Sequence, residues 1–213
     1  RTVVGGSYAY VKAFVKEFKG TVHLDSGVHG VNREADLVRL RFADGTEQTF
    51  DQVVIATHAD QALRLLQDPS ELEQQLLSPW QYQLNQTVLH TDASLLPPKQ
   101  VAWASWNYHV PKEKKKRVAL TYDMSILQTL AAPVEFCVTL NMPEAINPDK
   151  IIQSFVYHHP VYDPKGLHAR RSQDKLNGRN RTYYCGAYWG YGFHEDGVKS
   201  ALAVCKHFGN AMS

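Results

Sequence analysis

Cysteine is scarce in this 213-residue sequence: Cys137, Cys185 and Cys205 lie far apart and form no CxxC pair. That excludes a disulfide-stapled scaffold and predicts free thiols in a reducing compartment. Neither sign of charge dominates, because 23 Lys and Arg against 21 Asp and Glu leave a formal +2; a nucleic-acid surface needs a larger basic excess. No apolar run approaches the roughly 20 residues of a membrane span, and no basic-then-apolar leader opens the chain. His158, His159, His168 and His194 share no metal-ligand spacing on one element, so no metal is expected. Ser105 and Ser172 sit in no nucleophile-elbow pattern, which leaves hydrolysis without support. These absences predict a soluble cytoplasmic protein with no nucleic-acid partner. Position 1 is Arg rather than Met and Val3-Val4-Gly5-Gly6 reads like mid-motif, which predicts a processed or truncated chain.

With 44% hydrophobic and 21% charged residues, the composition suits one large or two small cores. Val11, Phe14, Val15 and Phe18 recur at helical spacing over 8–19, with Gly20 as the stop. Short strands are expected at Thr21 to Leu24 and Gly27 to Asn32. Leu37 to Phe42 alternates, and Asp44-Gly45 turns it back towards Thr46 to Phe50 as a hairpin. Val53-Val54-Ile55-Ala56 is apolar on both faces, as a covered parallel strand requires. A helix follows over 59–66, and Ser70 with Glu73 forms a capping box for the next. His58, at the end of the buried run, reads as a capping residue, with a site residue as the alternative.

From about Gln83 to Tyr157 the texture changes to strand-like runs: 83–91, 101–110, 117–123, 134–141 and 155–159. Together they predict an antiparallel sheet, with the basic run Lys112 to Arg117 as a solvated hairpin tip. Pro160 to Arg181 reads as a polar loop. A strand over 181–186 precedes a closing helix over 198–208, whose expected apolar face is Val198, Ala201, Leu202, Cys205 and Phe208.

The segment Tyr184 to Leu202 is the most informative. A strand, a glycine-rich loop and a helix start bring exposed N–H groups beside residues without side chains, an arrangement that lets a planar polar ligand approach the backbone. Tyr188, Trp189, Tyr191 and Phe193 could wall such a ligand, or could simply pack into the core.

This segment resembles the C-terminal flavin-binding signature of the flavin amine oxidase superfamily. The resemblance implies that Gly186 is the glycine closest to the flavin, that Phe193 lies beside the ring, and that Asp196, Gly197 and Val198 open the helix facing it. Ala187 stands where many members carry an acidic residue. Val4-Gly5-Gly6-Ser7, the amphipathic helix after it, and Gly27-Val28-His29-Gly30-Val31 resemble the family's GG motif and its adenine-contacting segment, which adds Gly5, Gly6, Ser7 and Val28 to the cofactor set. The hairpin followed by DQVVIAT also resembles the superfamily's order, and the blocks ATHADQAL, LHTDASLLP and WASWNYH resemble a bacterial branch of predicted NAD/FAD-binding oxidoreductases.

The superfamily also places GxGxxG after its first strand, where a helix N-terminus holds the pyrophosphate, and no GxGxxG occurs here. The expected fold is therefore α/β (α+β): an incomplete FAD-binding Rossmann-type domain from residues 1–80 and 181–213, and an antiparallel-sheet substrate domain from 81–180. The expected function is that of a C-terminal portion of an FAD-dependent oxidoreductase acting on an amine or an apolar C–C substrate. No block fixes a catalytic base. The alternative is a non-catalytic lipid- or prenyl-binding protein on the same scaffold. A chain with only the ring-side contacts is expected to hold FAD weakly, to turn over no substrate alone, and to self-associate through exposed apolar surface.

Overall fold

The computed structural model describes residues 2–110 and 117–209, so Lys112 to Lys116 of the expected hairpin tip lie outside the described residues. Gly5 and Gly6 both have positive φ (80° and 83°) and turn the chain into helix α1, Tyr8–Glu17. The α1 stripe is present but buries no side chain; Phe14 and Phe18 stack on each other at 5.0 Å. Thr21 to Leu24 forms no strand. Strands β1 (Val28–Arg33), β2 (Val38–Phe42) and β3 (Glu47–Phe50) form an antiparallel sheet in that order, with Gly45 at φ 84° in the predicted turn. Next come β4 (Val53–Ile55), α2 (Ala59–Leu65) and α3 (Glu71–Leu77). Ser70 caps α3 as its sequence predicts: its Oγ accepts the Glu73 N–H, and its own N–H donates to Glu73 Oε2 at 2.8 Å.

The middle of the chain carries β5 (Gln81–His90), β6 (Trp106–His109), β7 (Ala119–Asp123), α4 (Met124–Gln128), β8 (Cys137–Leu140) and β9 (Ile151–Val161). The expected run 101–110 is strand only at its end, because Gln100–Ala102 is a 3-10 turn. Residues 160–181 are not a plain loop. Asp163 Oδ1 accepts the Gly166 N–H at 2.7 Å and Pro164 presets the first turn, so α5 (Pro164–Ala169) starts there, followed by α6 (Gln173–Leu176). The chain ends with β10 (Thr182–Tyr184) and α7 (His194–Lys206).

By contacts the chain divides into two units: Arg1–Thr21 with Leu84–His159, and Val22–Gln83 with Pro160–Ser213. Residues 1–21 thus group with the sheet and 160–180 with the other unit, unlike the division at 80 and 181 read from sequence.

In the second unit, β10 pairs parallel with β4, Thr182 to Tyr184 against Val53 to Ile55, so the doubly apolar run is a parallel strand. The core gathers around Trp80, with Val31, Val38, Ile55, Ala59, Leu77 and Tyr184. Through it runs a buried ion network. Arg33 reaches both oxygens of Glu73 (2.6 and 3.0 Å) and also bonds Asp68 at 2.8 Å, while Tyr184 donates its hydroxyl to Glu73 at 2.5 Å. Burial alone would raise the Glu73 pKa, but hydrogen bonds from Arg33, Tyr184 and Ser70 outweigh it and hold the carboxyl at about 2.

The first unit is a five-stranded sheet in the order β6-β7-β8-β5-β9. Its registers put Asn107, Thr121, Thr139 and Val88 in one row and Asp123, Cys137 and His90 in the next, all on one face. That face is buried and mostly polar, and its apolar cluster is only Val88, Leu95 and Ile146. Hydrogen bonds link much of it, although Asp123 Oδ2 has no hydrogen-bond partner among the described residues: His90 Nε2 to Thr139 Oγ1 (2.7 Å), Thr139 to Thr121 (2.8 Å), and Thr121 to His109 Nε2 (2.8 Å). The opposite face carries Trp106, Tyr108, Leu120, Tyr122, Val138 and Leu140, and Trp106 and Tyr108 are exposed.

Candidate functional site

The strand–loop–helix of residues 182–206 is assembled by hydrogen bonds as much as by apolar packing. The Cys185 N–H extends the parallel pairing by donating to the Ile55 carbonyl at 3.1 Å. Gly186 then donates its N–H to Ser200 Oγ at 2.8 Å, and that hydroxyl donates to the Gly197 carbonyl. Gln173 ties the strand to the helix, its Nε2 reaching the carbonyls of Tyr184 (2.9 Å) and Ser200 (3.0 Å). Helix α7 is therefore seated on Ser200 and Val204, its two buried residues, while Val198 and Phe208 of the expected apolar face remain exposed.

The helix also begins earlier than its sequence suggests. Asp196 accepts the Phe193 N–H at 3.1 Å and the Tyr191 N–H at 3.0 Å, so it closes a cap that starts α7 at His194. Residues 195–197 are thus inside the first turn. Gly190 lies under the same carboxylate, and a Cβ there would collide with Asp196. Arg170 holds the loop from the other side, with its guanidinium 4.1 Å above the Tyr191 ring and Nη1 donating to the Gly190 carbonyl at 3.4 Å.

The four aromatics of the loop divide into two pairs. Tyr188 and Trp189 are core residues, packed edge-on against Trp80 at centroid distances of 5.4 and 6.3 Å. Burial raises the Tyr188 phenol pKa far above its usual range. Tyr191 and Phe193 stay exposed, so only these two present an apolar wall to solvent. His58 caps α2 at its backbone, donating to Gln61 Oε1 at 3.2 Å, and its ring stacks on Tyr82 at 4.2 Å.

Gly186 and Gly197, the glycines that the resemblance sets beside the flavin ring, offer different surroundings. A Cβ on Gly186 would come within 2.5 Å of the Tyr188 ring, so the close approach at this glycine is made by the protein's own aromatic. A Cβ on Gly197 would meet nothing nearer than Ala187 at 4.0 Å, and Phe193 and Val198 beside it are exposed. The start of α7 therefore presents an uncrowded backbone beside two exposed apolar side chains. Val28 packs against the core cluster that includes Tyr188 and Trp189. Gly5, Gly6 and Ser7 belong to the other unit. Sequence reasoning missed Ser200, Gln173 and Arg170, whose roles arise from contacts 11–27 residues apart. Among the described residues no group of three or more His, Cys, Asp or Glu could hold a metal ion, and no helix is long and apolar enough to cross a membrane.

No curated protein matches the chain by sequence. Among solved structures it is similar to a CLA-producing fatty acid isomerase from P. acnes, with a TM-score of 0.66 and 16% identity over 95% of this chain and 52% of that one. It is similar also to putrescine oxidase bound to putrescine (TM-score 0.62, 9% identity, 97% and 53% covered). A third is reduced UDP-galactopyranose mutase (TM-score 0.63, 12% identity, 98% and 53% covered). These likenesses show that the chain shares the mixed helix-and-sheet fold of those structures, and it spans about half the length of each. Residues 1–119, more than half of the sequence, match the family described as flavin containing amine oxidoreductase, and the chain belongs to that family.

Proposed function

We propose that this chain is part of an FAD-dependent oxidoreductase whose substrate is apolar at the reacting carbon. The cofactor side is assigned to the unit holding Val28, Gly186, Phe193, Asp196, Gly197 and Val198, and the substrate side to the five-stranded sheet. When bound, the flavin supplies the hydride acceptor. The chain's own residues contribute a backbone approach at Gly197 and an apolar edge at Phe193 and Val198, and the other unit contributes an apolar sheet face. The observation that carries the substrate class is the open face of Trp106, Tyr108, Leu120, Tyr122, Val138 and Leu140. None of these six residues carries a carboxylate, whereas an ammonium substrate is held best by an opposite charge. An apolar C–C substrate is therefore favoured over an amine.

Two measurements test this reading. The protein expressed from its complete gene should be yellow, with a flavin absorption band that bleaches anaerobically with a hydrophobic substrate; a colourless protein overturns the assignment. FAD titrated into the 213-residue chain should bind more weakly than micromolar. With no GxGxxG in the sequence, several phosphate hydrogen bonds of about 1.5–3 kcal/mol each are lacking, at about 1.4 kcal/mol per tenfold in affinity. Stoichiometric sub-micromolar binding would show that these residues hold a complete site. Exposed Val54, Val198 and Phe208 support self-association of the isolated chain, which sedimentation would detect.

A further inference from the structure

A cavity of about 430 Å³ opens between α3 and α5, within the range of small-molecule sites. None of the residues assigned to the flavin lines it, so it stands apart from that reading. Its walls are Leu72 and Leu76 of α3, Pro79, and Ala169 of α5. Leu76 and Ala169 are buried in the core, so the floor of this open cleft belongs to the packed interior. The polar part of the lining is Gln75, Lys165, His168, Ser172 and Lys175, with two cations and no acidic residue. Neither lysine forms an ion pair among the described residues.

An apolar cleft with unpaired cations at its mouth is the complement of an amphiphilic anion. The hydrocarbon removes the leucine and proline surfaces from water, and the two ammonium groups meet the headgroup where it is still partly solvated. A neutral amphiphile would leave the cations unmatched. A cationic one would be repelled.

We propose that this cavity binds a medium-chain carboxylate, its alkyl chain against Leu72, Leu76, Pro79 and Ala169 and its carboxylate against Lys165 and Lys175. Calorimetric titration of decanoate into the 213-residue chain, at concentrations below micelle formation, tests it. Decanoate is expected to bind one-to-one in the sub-millimolar range, with decan-1-ol and hexanoate each at least about tenfold weaker. The surface variant Lys165→Glu/Lys175→Glu, with an unchanged circular dichroism spectrum, should weaken decanoate by at least about tenfold. Leu72→Trp, which fills the cavity, should abolish binding while leaving the lysines in place. No heat with decanoate, equal binding of decan-1-ol, or unaltered decanoate affinity in the charge-reversed variant would each overturn the assignment. FAD affinity should be the same with and without decanoate, so the fate of this proposal is independent of the flavin reading.

Discussion

Replacing Arg33 by Met should cost the second unit about 3 kcal/mol at neutral pH, and the cost should fade in acid. The Arg33 side chain is 2% exposed and that of Glu73 3%, so the substitution leaves a carboxylate buried with only Ser70 and Tyr184 as donors. Breaking a buried pair from one side costs about 3–5 kcal/mol. An independent figure comes from Glu73 itself, held at about 2 against an ordinary 4.5. At 1.36 kcal/mol per pKa unit that shift is worth about 3 kcal/mol. Because the folded value lies below the unfolded one, this stability is fully present above the unfolded pKa and is lost as pH falls through the folded one. Wild type and variant should therefore converge in acid, with more than half of their difference gone by about pH 3. Amide exchange in β1, α3 and β10, read by mass spectrometry, follows this unit without interference from the other. Arg33→Met/Glu73→Met should recover most of the loss, apart from about 1 kcal/mol for the Ser70 cap. A loss below about 1 kcal/mol for Arg33→Met, or a loss that does not shrink with pH, would refute the reasoning.

Three further outcomes are expected. Gly186→Ala should lower stability by about 1–3 kcal/mol, since the new methyl meets the buried Tyr188 ring at 2.5 Å; an unchanged melting temperature would contradict the packing described. Thr121→Val should cost about 1–3 kcal/mol by leaving Thr139 and His109 without their shared hydroxyl, measured by urea denaturation. Of the three thiols, half-buried Cys205 should react first with an aromatic disulfide. Cys185 is raised by burial, and Cys137 is pushed up to about 12 by burial and the nearby Asp123 and Glu135; fast labelling of more than one native thiol would be the wrong result.

What the sequence made legible is what short-range chemistry decides. The Ser70–Glu73 box, the Asp44-Gly45 hairpin and the parallel strand at Val53 to Ile55 all stand where local signals put them. The helix in the expected loop carried a readable signal in Asp163-Pro164, overlooked because the stretch is polar and has no long periodicity. The start of α7 was misplaced because Asp196 acts backwards, on N–H groups three and five residues earlier. Arg33 could not have been read at all. Its partner Tyr184 is 151 residues away, and nothing local distinguishes it from Arg39 or Arg41 on the same hairpin. At the candidate site the sequence supplied the aromatics but not their division: Trp80, outside the motif, draws Tyr188 and Trp189 inward.

The buried row of the five-stranded sheet has a sense of direction. The Asp92 N–H donates to His90 Nδ1 at 3.0 Å, so the His90 proton sits on Nε2 and points at Thr139. Every hydroxyl hydrogen then finds an acceptor in one arrangement only: Thr139 donates to Thr121, and Thr121 to His109 Nε2. The tautomer of one imidazole is thereby dictated by a backbone amide three strands away. Adding a proton to His109 Nε2 would turn two donors towards each other, and reversing the line would leave His90 with no hydrogen to give. Burial already lowers the His109 pKa; the fixed polarity of the line disfavours the charged ring further, so this edge of the sheet resists protonation from two causes at once.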